Sequence, residues 1–165
     1  MGGLFHHPAR ASDAEVMVIL DGDGQHNPDE IPQFLASIQA GADLVIGSRF
    51  LANKNNIPGY RRFGIGFITS LWNFGSRIHV SDSQSGFRAY HRRLFENLTL
   101  TEKGMSVSIE IIEKARRQGA VIAEVPISCR YPVSRMNLPA IKHGLSVALS
   151  VVRVRLKNTR GGIKK

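Results

Sequence analysis

Val16-Met17-Val18-Ile19-Leu20 is an unbroken apolar run, rich in β-branched residues, that stops abruptly at Asp21-Gly-Asp23-Gly. A short continuous run of this kind reads as a strand buried on both faces. Pro28-Asp29-Glu30 then opens a helix: Asn27 is placed to cap it, proline suits the first position, and acids suit the first turn. Ile31, Phe34, Leu35 and Ile38 recur at helical spacing up to Gly41, and Leu44-Val45-Ile46 is a second buried strand. Strand, helix and strand within about thirty residues spell a β-α-β unit, which parallel neighbours require. The chain is therefore expected to be α/β, with a mostly parallel sheet flanked by helices.

The rest extends this pattern. A polar loop over 53–59 leads into a long segment, 60–79, whose Phe63, Phe67, Ile68, Leu71, Trp72 and Phe74 favour a helix. A turn and short strand are expected over 85–90, a short helix over 91–98, and a longer helix over 107–118 that carries Ile109, Ile112 and Ala115 on one face. Val121–Ile127 reads as a strand, and Pro126 marks its end or a sheet edge. A last helix is expected over 138–156.

The two aspartates at the tip of the first strand carry the clearest chemistry. The crevice at the carboxyl ends of strands is where open α/β sheets bind ligands. Asp21 and Asp23, separated by one glycine, can face one cation, and glycine permits the tight backbone this needs. A small set of hard oxygen ligands suits Mg²⁺ or Mn²⁺ shared with substrate phosphates. An EF-hand loop is excluded, because its sixth position is His26 rather than glycine and its twelfth is Pro32 rather than glutamate. A plain Asp-Gly turn before a helix cap is the alternative. His26 reads as positional, since the six histidines show no metal-ligand spacing.

Charge is unevenly spread. Residues 1–90 sum to −1 and residues 91–165 to +10, which points to an anionic partner: phosphates, an anionic membrane surface or nucleic acid. No stacking-aromatic array or nucleic-acid motif accompanies the basic half, so nucleic acid is not expected. Ile141, Leu145, Ala148, Leu149, Val152 and Leu156 with Lys142, Arg153, Arg155 and Lys157 make a basic amphipathic helix. Its apolar stretch is far short of the ~20 residues that span a bilayer, and it suits either a membrane surface or the domain's own core. The single cysteine, Cys129, forms no internal disulfide, and the N-terminus shows no signal-peptide pattern. A cytoplasmic, peripherally membrane-associated protein is expected. Residues 1–137 form its domain, and 138–165 its basic helix and tail.

Four blocks follow in order: Leu20-Asp-Gly-Asp-Gly-Gln-His-Asn-Pro-Asp-Glu-Ile-Pro32, Ala42-Asp-Leu-Val-Ile-Gly-Ser-Arg-Phe50, Asp82-Ser-Gln-Ser-Gly-Phe-Arg-Ala-Tyr90 and Glu124-Val-Pro-Ile127. Together they resemble the family-2 glycosyltransferases, especially the dolichyl- and polyprenyl-phosphate sugar synthases. The resemblance implies part of a nucleotide-diphospho-sugar transferase (GT-A-like) fold. It also implies inverting transfer of a sugar from a nucleotide-diphosphate sugar to a polyprenyl or dolichyl phosphate. In such enzymes the metal that bridges the diphosphate would be held by Asp21 and Asp23, with Gln25 as a further ligand or orienter. Arg49 would line the acceptor or phosphate pocket, and Arg61 or Arg62 would grip the acceptor phosphate with a guanidinium fork. Asp82 resembles the acid needed near the reacting centre, although an anionic acceptor phosphate makes a base optional. Arg130, and with it Arg135, would close over the diphosphate, though the 131–136 loop departs from the commoner Gly-x-Ser-Lys pattern. Arg88 is expected to be structural and paired with Asp82, and Glu110 to be an exposed helix acid, with an active-site acid as its alternative.

Family members begin with a strand, a Pro-x-x-Asn-Glu loop and a second strand ending in Asp-Asp, which hold the base and ribose. These blocks are absent before Asp13. The expectation is a sheet with an unpaired edge and a chain that is weakly active or inactive alone; a non-catalytic remnant or partner-binding module on the same scaffold is the alternative.

Overall fold

The computed structural model describes residues 13–52, 57–76, 78–96, 98, 100 and 106–131. The expected helix over 138–156, Arg135, the boundary at 137 and the start of the chain lie outside the described residues.

The elements are β1 (Val16–Ile19), a 3-10 turn (Pro28–Glu30), α1 (Ile31–Gln39), β2 (Leu44–Ser48), α2 (Gly59–Asn73), β3 (Arg88–His91), α3 (Arg92–Glu96), α4 (Ser106–Arg117) and β4 (Ile122–Pro126). The Asn27 side chain accepts from the backbone N–H of Asp29 at 3.2 Å, so the helical entry is capped as its sequence requires. The sheet runs β1-β3-β2-β4. β2 and β4 are parallel, while β3 pairs antiparallel with both β1 and β2. Three strands thus share one direction and β3 runs against them.

This order corrects the simple β-α-β reading. β1 and β2 share a direction but are not neighbours, because β3 lies between them, with Tyr90 opposite both Met17 and Leu44. A crossover that spans one strand position has the same sequence pattern as one that spans none. β1 is consequently an edge among the described residues and is only half-buried, whereas β2 is buried along its whole length. Pro126 ends β4 at the other edge, where a missing N–H costs no ladder bond.

Alternation along the strands separates two cores. Leu44 and Ile46, with Met17 and Ile19, face Ile68, Trp72, Leu94, Phe95, Ile109 and Ile112 of α2, α3 and α4. Val45, with Val16 and Val18, faces Phe34 and Ile38 of α1. Helices therefore cover both sheet faces.

Asp43 fastens the far end of β2. Its carboxylate accepts from the Arg93 guanidinium and, at 2.8 Å, from the backbone N–H of Val121. Burial alone would raise the Asp43 pKa, but these hydrogen bonds and the charges of Arg93 and His91 outweigh it and hold the group below its ordinary value of 3.8. A depressed carboxylate contributes stability that is fully present above the unfolded-state pKa and is lost as pH falls through the folded-state value. Asp43→Asn is expected to cost about 1.5–3 kcal/mol at pH 7 and to flatten the stability loss below about pH 4. Urea unfolding at pH 7 and pH 3 checks both.

Candidate functional site at the carboxyl end of the sheet

Strand direction decides which loops meet. β1, β2 and β4 end where β3 begins, so the segments after Ile19, Ser48 and Pro126 converge on the segment before Arg88. Asp21, Asp23 and Gln25 leave β1, Arg49 leaves β2, Asp82 precedes β3, and Arg130 follows β4.

The aspartate loop is held from two sides. Gln25 binds Asp23 through its backbone N–H at 3.0 Å and its side-chain amide at 2.8 Å, so it orients that carboxylate. The loop is also zipped to the segment after β4: His26 forms an isolated bridge with Cys129, and Arg130 donates its N–H to the Gln25 carbonyl at 2.9 Å. The His26 side chain is 5% exposed, and its Nε2 lies 3.7 Å from Asp21 Oδ2. Its ring packs on Phe87 with centroids 5.4 Å apart. The left-handed turn falls at Gly24, with φ of 75°, and not at Gly22 between the two acids. Asp21 stays 61% exposed at its side chain.

Arg49 and Asp82 form one unit. Arg49 donates Nε to Oδ2 at 2.6 Å and Nη2 to Oδ1 at 2.8 Å, a bidentate fork, and its backbone N–H also reaches Oδ2 at 3.2 Å. Gln84 N–H takes Oδ1 at 3.2 Å. Both Asp82 oxygens are thus engaged and the residue is fully buried. Burial would lower the Arg49 pKa, but the hydrogen bonds and charge of Asp82 raise it above the ordinary arginine value and keep the guanidinium protonated.

The loop bearing Asp82 is anchored at both ends by residues that give little sign of it in sequence. Glu124 accepts from Ser81 N–H at 2.8 Å, Ser81 hydroxyl at 3.0 Å and Asp82 N–H at 3.2 Å. Arg88 is buried and donates to the carbonyls of Ser83, Ser85 and Ser108, each at 2.9 Å. It is structural, as expected, but it clamps carbonyls while Asp82 pairs with Arg49. Glu110 is also corrected: it is 2% exposed and bound by Lys114 at 2.8 Å, a partner one helical turn away that permits its burial.

Arg61, in the first turn of α2, lies over the Tyr131 ring at 5.5 Å. Burial pushes the Tyr131 hydroxyl up to about 12 against the nearby Arg49 charge. Tyr131 therefore stands beside both arginines, a placement that a lone tyrosine in a loop does not advertise. Arg62 and the Arg130 side chain are exposed.

A glycosyl transferase family 2 model matches residues 2–99, more than half of the chain. The chain belongs to glycosyl transferase family 2. Among related proteins, polyprenol monophosphomannose synthase of Mycolicibacterium smegmatis is 32% identical over 159 residues, covering 90% of this chain and 60% of that protein. Dolichyl-phosphate hexose transferase of Haloferax volcanii is 31% identical over 147 residues, covering 89% and 64%. The chain thus spans less than two thirds of these relatives. Glucosyl-3-phosphoglycerate synthase of Mycobacterium tuberculosis, solved with uridine diphosphate, superposes with a TM-score of 0.63 at 19% identity, over 88% of this chain and 51% of that one. The same enzyme with Mn²⁺ and uridine-diphosphate-glucose gives 0.61 at 20% identity over 87% and 51%. The family 2 domain here therefore has the GT-A-like fold.

A divalent cation of the kind those crystals contain fits this donor set in one specific way. Among the described residues no group of three His, Cys, Asp or Glu side chains could hold a metal ion. The exposed Asp21 and Asp23 carboxylates are instead hard-oxygen donors of the kind that Mg²⁺ and Mn²⁺ take together with phosphate and water.

Proposed function

We propose that this family 2 chain carries the metal-binding and phosphate-binding side of a transferase that moves one sugar from a nucleotide-diphosphate sugar to a polyprenyl or dolichyl phosphate. The observation that carries this reading is the meeting of Asp21 and Asp23 with Arg49, Arg61 and the Arg130 segment at one end of the sheet. Anionic oxygens and guanidinium groups on loops at one end of the sheet suit two phosphate-bearing partners. The names of the two relatives above favour a lipid phosphate as acceptor.

Asp21 and Asp23 would hold Mg²⁺ or Mn²⁺, which when bound neutralises charge on the departing diphosphate. Arg61, and Arg62 beside it, receive the acceptor phosphate, while Arg130, with Arg135 in the same segment, closes over the donor diphosphate. An acceptor phosphate oxygen is already anionic at neutral pH, so it attacks the anomeric carbon in line, with inversion, without losing a proton to the protein. Asp82 is then a positioning residue: it fixes the Arg49 fork and has no oxygen free to act as base. Supplied with labelled nucleotide sugar, the chain is expected to label polyprenyl phosphate in vesicles and not 3-phosphoglycerate. The informative result is which acceptor carries label, not the rate. Label only in the soluble acceptor would overturn the lipid assignment, and label in neither would favour the non-catalytic alternative.

Among the described residues no helix is long and apolar enough to cross a membrane. A peripheral membrane surface is supported instead by α2 and its cap, where Phe63, Phe67 and Phe74 are 78%, 56% and 79% exposed. At 3.6 residues per turn they share one stripe, Arg62 is exposed in the first turn of the same helix, and a helix that presents aromatic rings and a cation suits an anionic interface. Changing all three to serine is expected to lower partition onto anionic vesicles by more than roughly tenfold, read by flotation, with unfolding unchanged.

A further inference from the structure

The β1–β3 register pairs Ile19 with Arg88, and continuing it by two residues sets Asp21 opposite Gly86. Side chains of directly opposed residues share a face and come close. The structure shows the consequence. A Cβ on Gly86 would lie 2.7 Å from Cγ and 2.8 Å from Oδ1 of Asp21, so the Asp21 carboxylate occupies the space that any side chain at 86 would fill. We infer that Gly86 is a positioning residue: its bare α-carbon is the seat that sets the direction of the Asp21 carboxylate, and hence the geometry of the cation site. This deepens the metal role proposed above and rests on it.

Two features separate this role from ordinary turn chemistry. Gly86 does not adopt the left-handed backbone conformation, in contrast to Gly24, so alanine is conformationally acceptable there. The atoms a methyl would strike belong to the far end of an exposed side chain, which can rotate away. The fold has no reason to suffer, and the carboxylate must move. The loop is also not free to retreat with it, since Glu124 holds its start and Arg88 holds the carbonyls of Ser83 and Ser85.

The experiment is manganese binding, by calorimetry in the presence of UDP or GDP, to the unchanged chain, Gly86→Ala, Asp21→Ala and the double variant. Gly86→Ala is expected to weaken Mn²⁺ roughly 10- to 100-fold, the usual effect of disturbing a group that orients a ligand, with a thermal midpoint unchanged or slightly raised. In the Asp21→Ala background the same substitution is expected to change Mn²⁺ affinity no further, because the group it displaces is gone. If Asp21→Ala weakens Mn²⁺ and Gly86→Ala does not, or if the two losses simply add, the seat is refuted while the metal role stands. If the unchanged chain binds no Mn²⁺, the metal role itself fails. Should Gly86→Ala unfold, the double variant decides: restored folding supports the contact with Asp21, and continued unfolding refutes it.

Discussion

Asp82→Ala is expected to lower the unfolding free energy by about 3–5 kcal/mol, the usual cost of removing one member of a buried ion pair. The Arg49 side chain is 13% exposed and that of Asp82 is fully buried, so water cannot easily replace the lost carboxylate. The same substitution frees the backbone N–H groups of Arg49 and Gln84 from their acceptor. Replacing both partners, as in Arg49→Met/Asp82→Leu, is expected to recover much of the loss, because an apolar pair has no charge left to desolvate. Denaturant unfolding of the three proteins gives the answer. A loss under about 1 kcal/mol for Asp82→Ala, the range of an exposed pair, would show that the pair is solvated in solution.

The second large effect concerns function without stability. Asp21→Asn and Asp23→Asn remove charge from two exposed side chains, so unfolding is expected to change by no more than about 0.5 kcal/mol. Transfer is expected to fall by about 10²–10³ or more for each, the scale for losing a group that stabilises developing charge. Gln25→Ala is expected to act more weakly through Asp23, which it holds at 2.8 Å. Equal transfer by both aspartate variants and the unchanged chain would mean that the tip of β1 has no part in chemistry.

The first half of the fold was legible because its signals are local. Asn27, Pro28 and the apolar run before Asp21 each act within one turn or one strand, and they fixed β1, α1 and β2 as elements. Pro126, expected to mark the end of its strand or a sheet edge, does end β4, which is an edge among the described residues. What was not legible depends on pairing across the chain. The insertion of β3 between β1 and β2 leaves no trace in either strand, and the contact of Gly86 with Asp21 exists only once that register is set. Phe63, Phe67, Ile68, Trp72 and Phe74 pointed to a helix over 60–79 but not to which of its faces is covered: Ile68 and Trp72 are buried, and the three phenylalanines are exposed. The partners of Arg88 are carbonyls, which any residue supplies and no pattern reveals.

The central claim is that the carboxylates after β1 hold a cation together with a nucleotide's phosphates. Manganese titration followed by the electron paramagnetic resonance of the free ion, with and without UDP or GDP, tests it most directly. About one Mn²⁺ per chain is expected, bound more tightly when the diphosphate is present and lost in Asp21→Asn/Asp23→Asn. Uptake that is indifferent to the diphosphate, or equal in the double variant, would contradict it.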